Sequence, residues 1–196
     1  MTPLVLLRHG RTSASAERRL KGRLDVPLSE AGRAEVASWR LPDETHGARW
    51  ITSPLVRARE TAAILGVAAT VEPRLIEMDW GLWEGKSLAD LRLDDPEGVA
   101  ANENRGLDFR PPGGESPRQV QERVCPWLAE IAADRRPVSA IIHKGVIRAI
   151  VGLATGWDFL GEPPIRIEFG AAHLLVLDAA GKPTVDRLNV ALAPPT

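Results

Sequence analysis

The apolar run Leu4-Val5-Leu6-Leu7 breaks abruptly into Arg8-His9-Gly10. A short, continuous apolar run of this kind predicts a strand buried on both faces. Val138 to Ile142 repeats the form and breaks into His143-Lys144-Gly145. Arg49-Trp50-Ile51-Thr52, Thr70-Val71-Glu72, His173 to Leu177 and Thr184 to Val190 read as further strands. Helical periods lie between them. Ser29 caps one helix that Leu41-Pro42 ends, and Ser53-Pro54 supplies a cap and a first-turn proline for another. In that second helix Leu55, Ala58, Ala62 and Leu65 recur at helical spacing up to Gly66. Ser87 to Leu93 reads as a short helix. Ser116, Pro117 and Gln119 form a capping box before the stripe Val120, Val124, Trp127, Leu128 and Ile131. Val146, Ile147, Ile150 and Leu153 mark a last helix that stops at Gly156. Strands alternating with helices predict an α/β fold with a mainly parallel sheet.

Three segments lack either period. Thr12 to Asp25 is polar and basic and reads as a loop with a helical turn. Leu75 to Gly85 is irregular and holds Trp80 and Trp83. Asp94 to Gly114 is rich in Asp, Asn, Gly and Pro and reads as a long surface excursion. We take residues 1–196 as a single domain, with 86–114 as a lid-like excursion. A chain of 196 residues buries a sizeable core without staples.

Composition narrows the function classes. The net charge is -1 with both signs interspersed, so neither nucleic acid nor an anionic membrane is implied. The cations Arg8, Arg11, Arg18, Arg19, Lys21 and Arg23 nevertheless crowd the N-terminal region. The single cysteine, Cys125, excludes an intrachain disulfide framework and reads as a buried, inert thiol in a helical pattern. Neither a membrane-spanning run nor a signal sequence is apparent, so the expectation is a soluble cytoplasmic protein.

In an open parallel sheet, ligands bind beyond the carboxyl ends of the strands. If the two His-bearing strands are neighbours, His9 and His143 face one another there. Leu7-Arg8-His9-Gly10-x-Thr12 then resembles the signature of the histidine phosphatase superfamily, which includes the cofactor-dependent phosphoglycerate mutases. Gly22-Arg23-x-Asp25-x-Pro27-Leu28-Ser29-x-x-Gly32 and Ser53-Pro54-Leu55-x-Arg57-Ala58-x-x-Thr61 are similar to its next blocks. Leu75-x-Glu77-x-Asp79-Trp80-Gly81-x-Trp83-Glu84-Gly85, Gly113-Gly114-Glu115-Ser116 and Ile142-His143-x-Gly145 complete the set in order.

The resemblance implies a three-layer, phosphoglycerate mutase-like sandwich and a reaction that uses side chains alone, without metal or cofactor. His9 would be the nucleophile that forms a phosphohistidine, kept neutral with the help of adjacent arginines. Arg8 and Arg57 would supply forked donors to the phosphoryl oxygens, and His143 a further hydrogen bond. Glu77 would protonate the leaving oxygen and then activate water. Taken singly, Arg57 is an ordinary surface helix residue, and Glu84 is a rival acid that we place second, as a partner of its loop. His46 and His173 read as structural.

Departures from the family pattern point to substrate contacts. Arg11 and Lys144 are cations where relatives differ, and Ser15 stands where an Asn often contacts phosphate. Lys21 and Gly22 match substrate-facing positions. Together they suggest a small phosphate ester with more than one negative group. The short interval from Gly85 to Gly113 favours a phosphatase over a mutase, because a shorter lid leaves the intermediate open to water. Other classes fit less well. A metal hydrolase lacks carboxylates at ligand spacing to His9 and His143. A non-catalytic phospholigand binder has no use for the nucleophile and acid. A dinucleotide-binding protein would carry Gly-x-Gly-x-x-Gly after the first strand. The oligomeric state is not legible.

Overall fold

A computed structural model describes residues 1–13 and 19–192. In chain order the strands are β1 (Thr2–Arg8), β2 (Arg49–Thr52), β3 (Ala69–Val71), β4 (Val138–Ile142), β5 (Ala171–Leu177) and β6 (Pro183–Ala191). The helices used below are α1 (Glu30–Ala37), α2 (Val56–Ile64), α3 (Leu88–Asp94), α4 (Pro96–Glu103), α5 (Pro117–Asp134) and α6 (Lys144–Thr155). The strands form one sheet in the order β3-β2-β4-β1-β5-β6. β3, β2, β4 and β1 run parallel, while β5 and β6 add an antiparallel edge.

The apolar runs explain why β1 and β4 sit at the centre. All five residues of β4 are buried, as are Leu4 to Leu7 of β1. Their side chains alternate between two cores, as the pleat requires. Leu4, Leu6, Val138, Ala140 and Ile142 pack with α5 and α6 on one face. Val5, Leu7 and Ile141 pack with Val36 of α1 and Ala58 and Ala62 of α2 on the other. The helix layers on both faces, with the sheet between, make the three-layer sandwich.

Local signals hold at most element ends. Ser29 accepts from the Gly32 amide at 3.0 Å and caps α1. Ser116 and Gln119 form the reciprocal capping box of α5, and Gly156 closes α6 with a left-handed φ of 75°.

Four expectations are corrected. α1 ends at Ala37, before the Leu41-Pro42 stop. α2 begins at Val56 rather than at Pro54, because its first amide is capped from outside by Asp25 Oδ1 at 2.6 Å and Ser53 is used elsewhere. The excursion is not coil: Asp95 accepts from the Gly98 amide and caps α4, whose Val99 packs with Trp83 and Leu91 in a small core of its own. Cys125 is exposed, on the solvent side of the α5 stripe, and not buried.

Two outcomes follow from this packing. A Cβ on Gly32 would lie 2.0 Å from the backbone carbonyl oxygen of Arg11, which cannot move aside as a side chain would. Gly32→Ala should therefore lower stability by about 3 kcal/mol in urea unfolding. The buried His173 of β5, held neutral by burial with a pKa of about 4, supplies the second. Between about pH 7 and 4 the unfolded chain takes up a proton that the folded chain refuses, so stability falls as pH drops. His173→Gln should flatten the stability profile over that window by up to about 3 kcal/mol relative to the parent.

Candidate active site

The parallel pairing of β1 with β4 places Arg8 opposite Ile142, and the His9 amide extends the ladder to the Ile142 carbonyl at 3.0 Å. His9 and His143 thus leave adjacent strand ends side by side, with ring centroids 5.1 Å apart. Gly10 turns the chain away immediately, since a Cβ there would meet Val36 Cγ2 at 2.5 Å. Its amide donates to Thr61 Oγ1 at 3.1 Å, and that hydroxyl donates to the Arg57 carbonyl at 2.7 Å. The first turn after β1 is thereby tied to α2.

The environment of His9 selects one tautomer. Its Nδ1 lies 2.7 Å from the Gly10 carbonyl, which can only accept, so Nδ1 carries the proton. Nε2 accepts from Arg57 Nε at 3.2 Å and so keeps its lone pair on that side. The ring is only 2 % exposed. Burial first, then the charges of Arg57 and Arg8, hold its pKa well below the ordinary value, and the imidazole is neutral.

Arg57 is 1 % exposed and held by neutral acceptors. Its Nη1 donates to the Leu24 carbonyl and its Nη2 to the Gly22 carbonyl, each at 2.7 Å. With Nε on His9, these bonds leave part of the five-donor fork uncommitted. Arg8 is oriented by an aromatic face rather than a carboxylate. Its guanidinium carbon lies 3.5 Å from the centroid of Phe169, and its buried Nε has no partner. Burial pushes its pKa down to about 10, opposed by Glu77 and reinforced by Arg11 and Arg57.

His143 caps no amide through its side chain. Its Nε2 lies 2.6 Å from Ser53 Oγ, and Nδ1 is buried without a partner. Ser53 follows β2, the neighbour of β4, which is why the two meet. Ser53 Oγ also accepts from the Leu55 amide at 3.3 Å; a Ser53 that gives its hydroxyl hydrogen to Nε2 leaves the imidazole proton on Nδ1. Burial, then His9 and the arginines, keep this ring neutral as well.

Glu77 reaches the same place from the irregular segment. Its Oε1 accepts from the Met78 amide at 2.8 Å and its Oε2 from the Gly145 amide at 3.2 Å. A Cβ on residue 145 would fall 2.4 Å from Oε1, so the glycine two residues after His143 makes room for this carboxyl. Arg123 of α5 clamps the approach by donating to the carbonyls of Arg74 and Ile76 and pairing with Glu115 at 2.8 Å. Glu84 is consumed in the loop. Its Oε1 accepts from the Arg23 amide at 2.7 Å and crowds the site a Gly22 Cβ would need.

These groups surround a cleft of about 330 Å³. Arg8, His9, Arg57 and Glu77 line it, with Lys21, Gly22 and Lys144 from the expected substrate set. His143 is not among the residues that line the cleft; it is fully buried, with its ring beside that of His9. Burial and the nearby arginines push Lys21 down to about 8, and burial lowers Lys144 too. Gly22 contributes its carbonyl to Arg57 as well as its place in the wall. Arg11 is a correction: it is exposed, is not among the residues that line the cleft, pairs with Glu35 at 3.1 Å, and has its guanidinium carbon 4.3 Å from the Phe169 ring centroid. Ser15 lies outside the described residues.

The cleft also holds Arg19, Trp80, Leu88, Arg148 and Phe169, which the sequence reading did not select. Arg148 carried a signal, a lone cation one turn after Lys144 in an apolar helix. Phe169 carried none, because only the fold brings it to Arg8. Among the described residues no group of three or more His, Cys, Asp or Glu side chains is arranged to hold a metal ion, and no helix is long and apolar enough to cross a membrane.

Comparison with known proteins agrees with this geometry. The sequence model of the histidine phosphatase superfamily (branch 1) matches residues 4–191. The chain is 34% identical over 162 residues to a glucosyl-3-phosphoglycerate phosphatase of Mycobacterium tuberculosis, covering 75% of this chain and 72% of that protein. It is 32% identical over 178 residues to a probable phosphoglycerate mutase of Klebsiella pneumoniae, covering 85% and 81%. The solved native structure of a mycobacterial glucosyl-3-phosphoglycerate phosphatase superposes with a TM-score of 0.78 at 28% identity, over 98% of this chain and 99% of that one. A family match over nearly the whole chain, on a site assembled from each of the matching motifs, means that this chain belongs to the histidine phosphatase superfamily.

Proposed function

We propose that the chain hydrolyses a small, anionic phosphate monoester through a phosphohistidine on Nε2 of His9. The observation that carries this reading is the state of that nitrogen: an unprotonated lone pair, in a neutral buried ring, facing guanidinium groups that themselves lack carboxylate partners. A nucleophile that must attack a phosphorus already bearing negative charge needs those properties together.

The steps follow from the donors. Arg8 and the uncommitted N–H groups of Arg57 take the phosphoryl oxygens, and Nδ1–H of His143 supplies a further bond as charge develops. Nε2 gives up its hydrogen bond from Arg57 Nε and attacks phosphorus while the bond from phosphorus to the ester oxygen breaks. Glu77, in its acid form, delivers a proton to the departing oxygen. The resulting Glu77 carboxylate then takes a proton from water, whose oxygen attacks phosphorus. The phosphorus–Nε2 bond breaks, and inorganic phosphate and the starting histidine are recovered. Each oxygen of Glu77 has one backbone amide as a partner, which orients the carboxyl without occupying all of its lone pairs.

Lys21 and Lys144 add charge beyond the phosphoryl group and support an ester with a second negative group. We read α3 and α4, within residues 86–114, as a short lid that leaves the phosphohistidine open to water, which favours hydrolysis over transfer to a second acceptor. A metal-independent reaction in the cytoplasm completes the reading.

His9→Ala should lower turnover of 4-nitrophenyl phosphate at least a thousandfold, while a chelator leaves the parent enzyme unaffected. Rapid acid-free quenching should trap an acid-labile phosphoryl group on the parent and none on the variant. Turnover lost on chelation would instead indicate a metal site. Glu77→Gln should slow an alkyl phosphate by about a hundredfold or more, since its leaving oxygen needs the proton. The same change should cost much less with 4-nitrophenyl phosphate, whose leaving group is already acidic. An equal loss on both esters would remove Glu77 from the acid role.

A further inference from the structure

Glu77 works from a stretch of chain that neither sheet nor helix holds. Residues 77–80 have no regular structure, whereas a proton donor must keep its carboxyl in place to well within about 1 Å. The carboxyl oxygens rest on the amides of Met78 and Gly145. Leu75 and Met78 set the depth of the segment, since both lie in one core with Val120 and Val124 of α5. Apolar packing is not directional, so it does not by itself fix the peptide planes from which Glu77 projects.

Those planes are held by charged side chains from outside the segment. Arg123 Nη2 donates to the Ile76 carbonyl at 2.7 Å, and Nη1 donates to the Arg74 carbonyl. The same guanidinium takes both oxygens of Glu115, Nε with Oε1 at 2.8 Å and Nη2 with Oε2 at 3.1 Å. Glu115 Oε2 also accepts from the Asp79 amide at 3.4 Å, and the Glu115 amide donates to the Asp79 carbonyl at 2.9 Å. The chain is therefore gripped on both sides of Glu77, at residues 74 and 76 by Arg123 and at 79 by Glu115. Arg123 lies in α5 and Glu115 just before its capping box, so the grip belongs to one rigid helix end. The two side chains are only 18 % and 12 % exposed, and a pair so shielded is screened little by salt.

Arg23 carries the network toward the phosphoryl clamp. Its Nη2 lies 3.5 Å from Glu115 Oε2 and its Nη1 3.3 Å from Asp79 Oδ2, while its Nε donates a long bond of 3.5 Å to the Glu77 carbonyl. Arg23 stands between Gly22 and Leu24, whose carbonyls hold Arg57. The acid and the guanidinium that faces His9 are thus referred to one set of charges. None of Arg23, Glu115 and Arg123 is among the residues that line the cleft.

We infer that the Arg123–Glu115 pair, joined by Arg23, positions the Glu77 carboxyl for proton transfer to the leaving oxygen. It acts through the backbone of residues 74–79 and touches no reacting atom. The inference rests on the acid role proposed for Glu77 above. The fork of Arg123 is what the task requires: a planar guanidinium serves two carbonyls and a carboxylate at once, and an ammonium is a point charge that does not.

The test compares kcat/KM for glycerol 3-phosphate, whose leaving oxygen needs a proton, with kcat/KM for 4-nitrophenyl phosphate, whose leaving group does not. Arg123→Lys keeps the charge and loses the fork. It should lower the glycerol 3-phosphate value about tenfold or more beyond any loss on the aryl ester. Added to Glu77→Gln, the same change should shift the ratio of the two esters by less than about threefold, because the group it positions is already gone. Glu115→Gln keeps the shape of the pair and should repeat the selective loss. Equal losses on both esters, or a shift of the ratio that persists in full beside Glu77→Gln, overturn the inference. If circular dichroism shows that neither Arg123→Lys nor Glu115→Gln folds as the parent does, the pair holds the fold rather than the acid, and the inference is likewise overturned. Glu77→Gln alone separates the two levels. If it is selective for glycerol 3-phosphate while Arg123→Lys and Glu115→Gln are not, the acid role stands and only the positioning role falls. If it lowers both esters equally, or the parent hydrolyses neither, the acid role falls and takes this inference with it.

Discussion

The active site depends on the parallel pairing of β1 with β4. Register between these two strands sets Arg8 against Ile142, and a slip of one residue would turn the apolar side chains of a strand to the wrong core. Because Leu4 and Leu6 pack on the α5–α6 side and Val5 and Leu7 on the α1–α2 side, the register is fixed by burial on both faces. Rigid strands then end at one level, and His9 and His143 emerge together where no further adjustment is needed. β2, paired to the other side of β4, brings Ser53 to His143 by the same logic. Three sequence motifs thus become one site through one sheet.

Electrostatics at this edge follow an economical rule. Cations are held by groups that do not neutralise them. Arg57 is tied to two backbone carbonyls and an imidazole, Arg8 lies over the face of Phe169, and Arg148 lies beside the stacked rings of Trp157 and Phe159. Nearby carboxylates are engaged elsewhere, Glu35 with Arg11, Glu84 with backbone amides and Glu115 with Arg123, while Glu77 in the cleft opposes the cations without pairing with them. Burial, reinforced by the positive field of these cations, keeps both histidines neutral. The cost of burying these charges is met by the surrounding fold, which is why the second layer of residues is as constrained as the first. Gly145 has no room for a side chain beside Glu77, and Gly22 none beside Glu84.

Much of this was legible from local pattern because the relevant signals are short-range. Period-two and continuous apolar runs marked every strand, and Ser29, Ser87 and Ser116 marked helix starts correctly because a cap bond spans only three residues. The same reasoning failed at Ser53-Pro54, where the serine faces His143 and the cap arrives from Asp25, about thirty positions earlier. It also failed for Cys125, since an apolar neighbourhood in sequence does not say which side of a helix faces solvent, and for α4, whose sequence is rich in turn residues but gains Trp83 and Leu91 as packing partners.

The chain by itself determined its fold class, the family, and the motifs whose residues meet at the cleft, because those rest on patterns in which chemistry and local backbone need coincide. Only the tertiary structure decided orientation. It turned Arg11 away to Glu35 and Phe169 although its neighbours Arg8 and His9 face the cleft. It fixed the proton of His9 on Nδ1 through the Gly10 carbonyl, and it raised Arg148 from an unremarked helix residue to a wall of the site. Each of these depends on contacts between segments far apart in the chain. Such contacts exist only once the two cores have packed against the sheet, and no spacing along the chain encodes them.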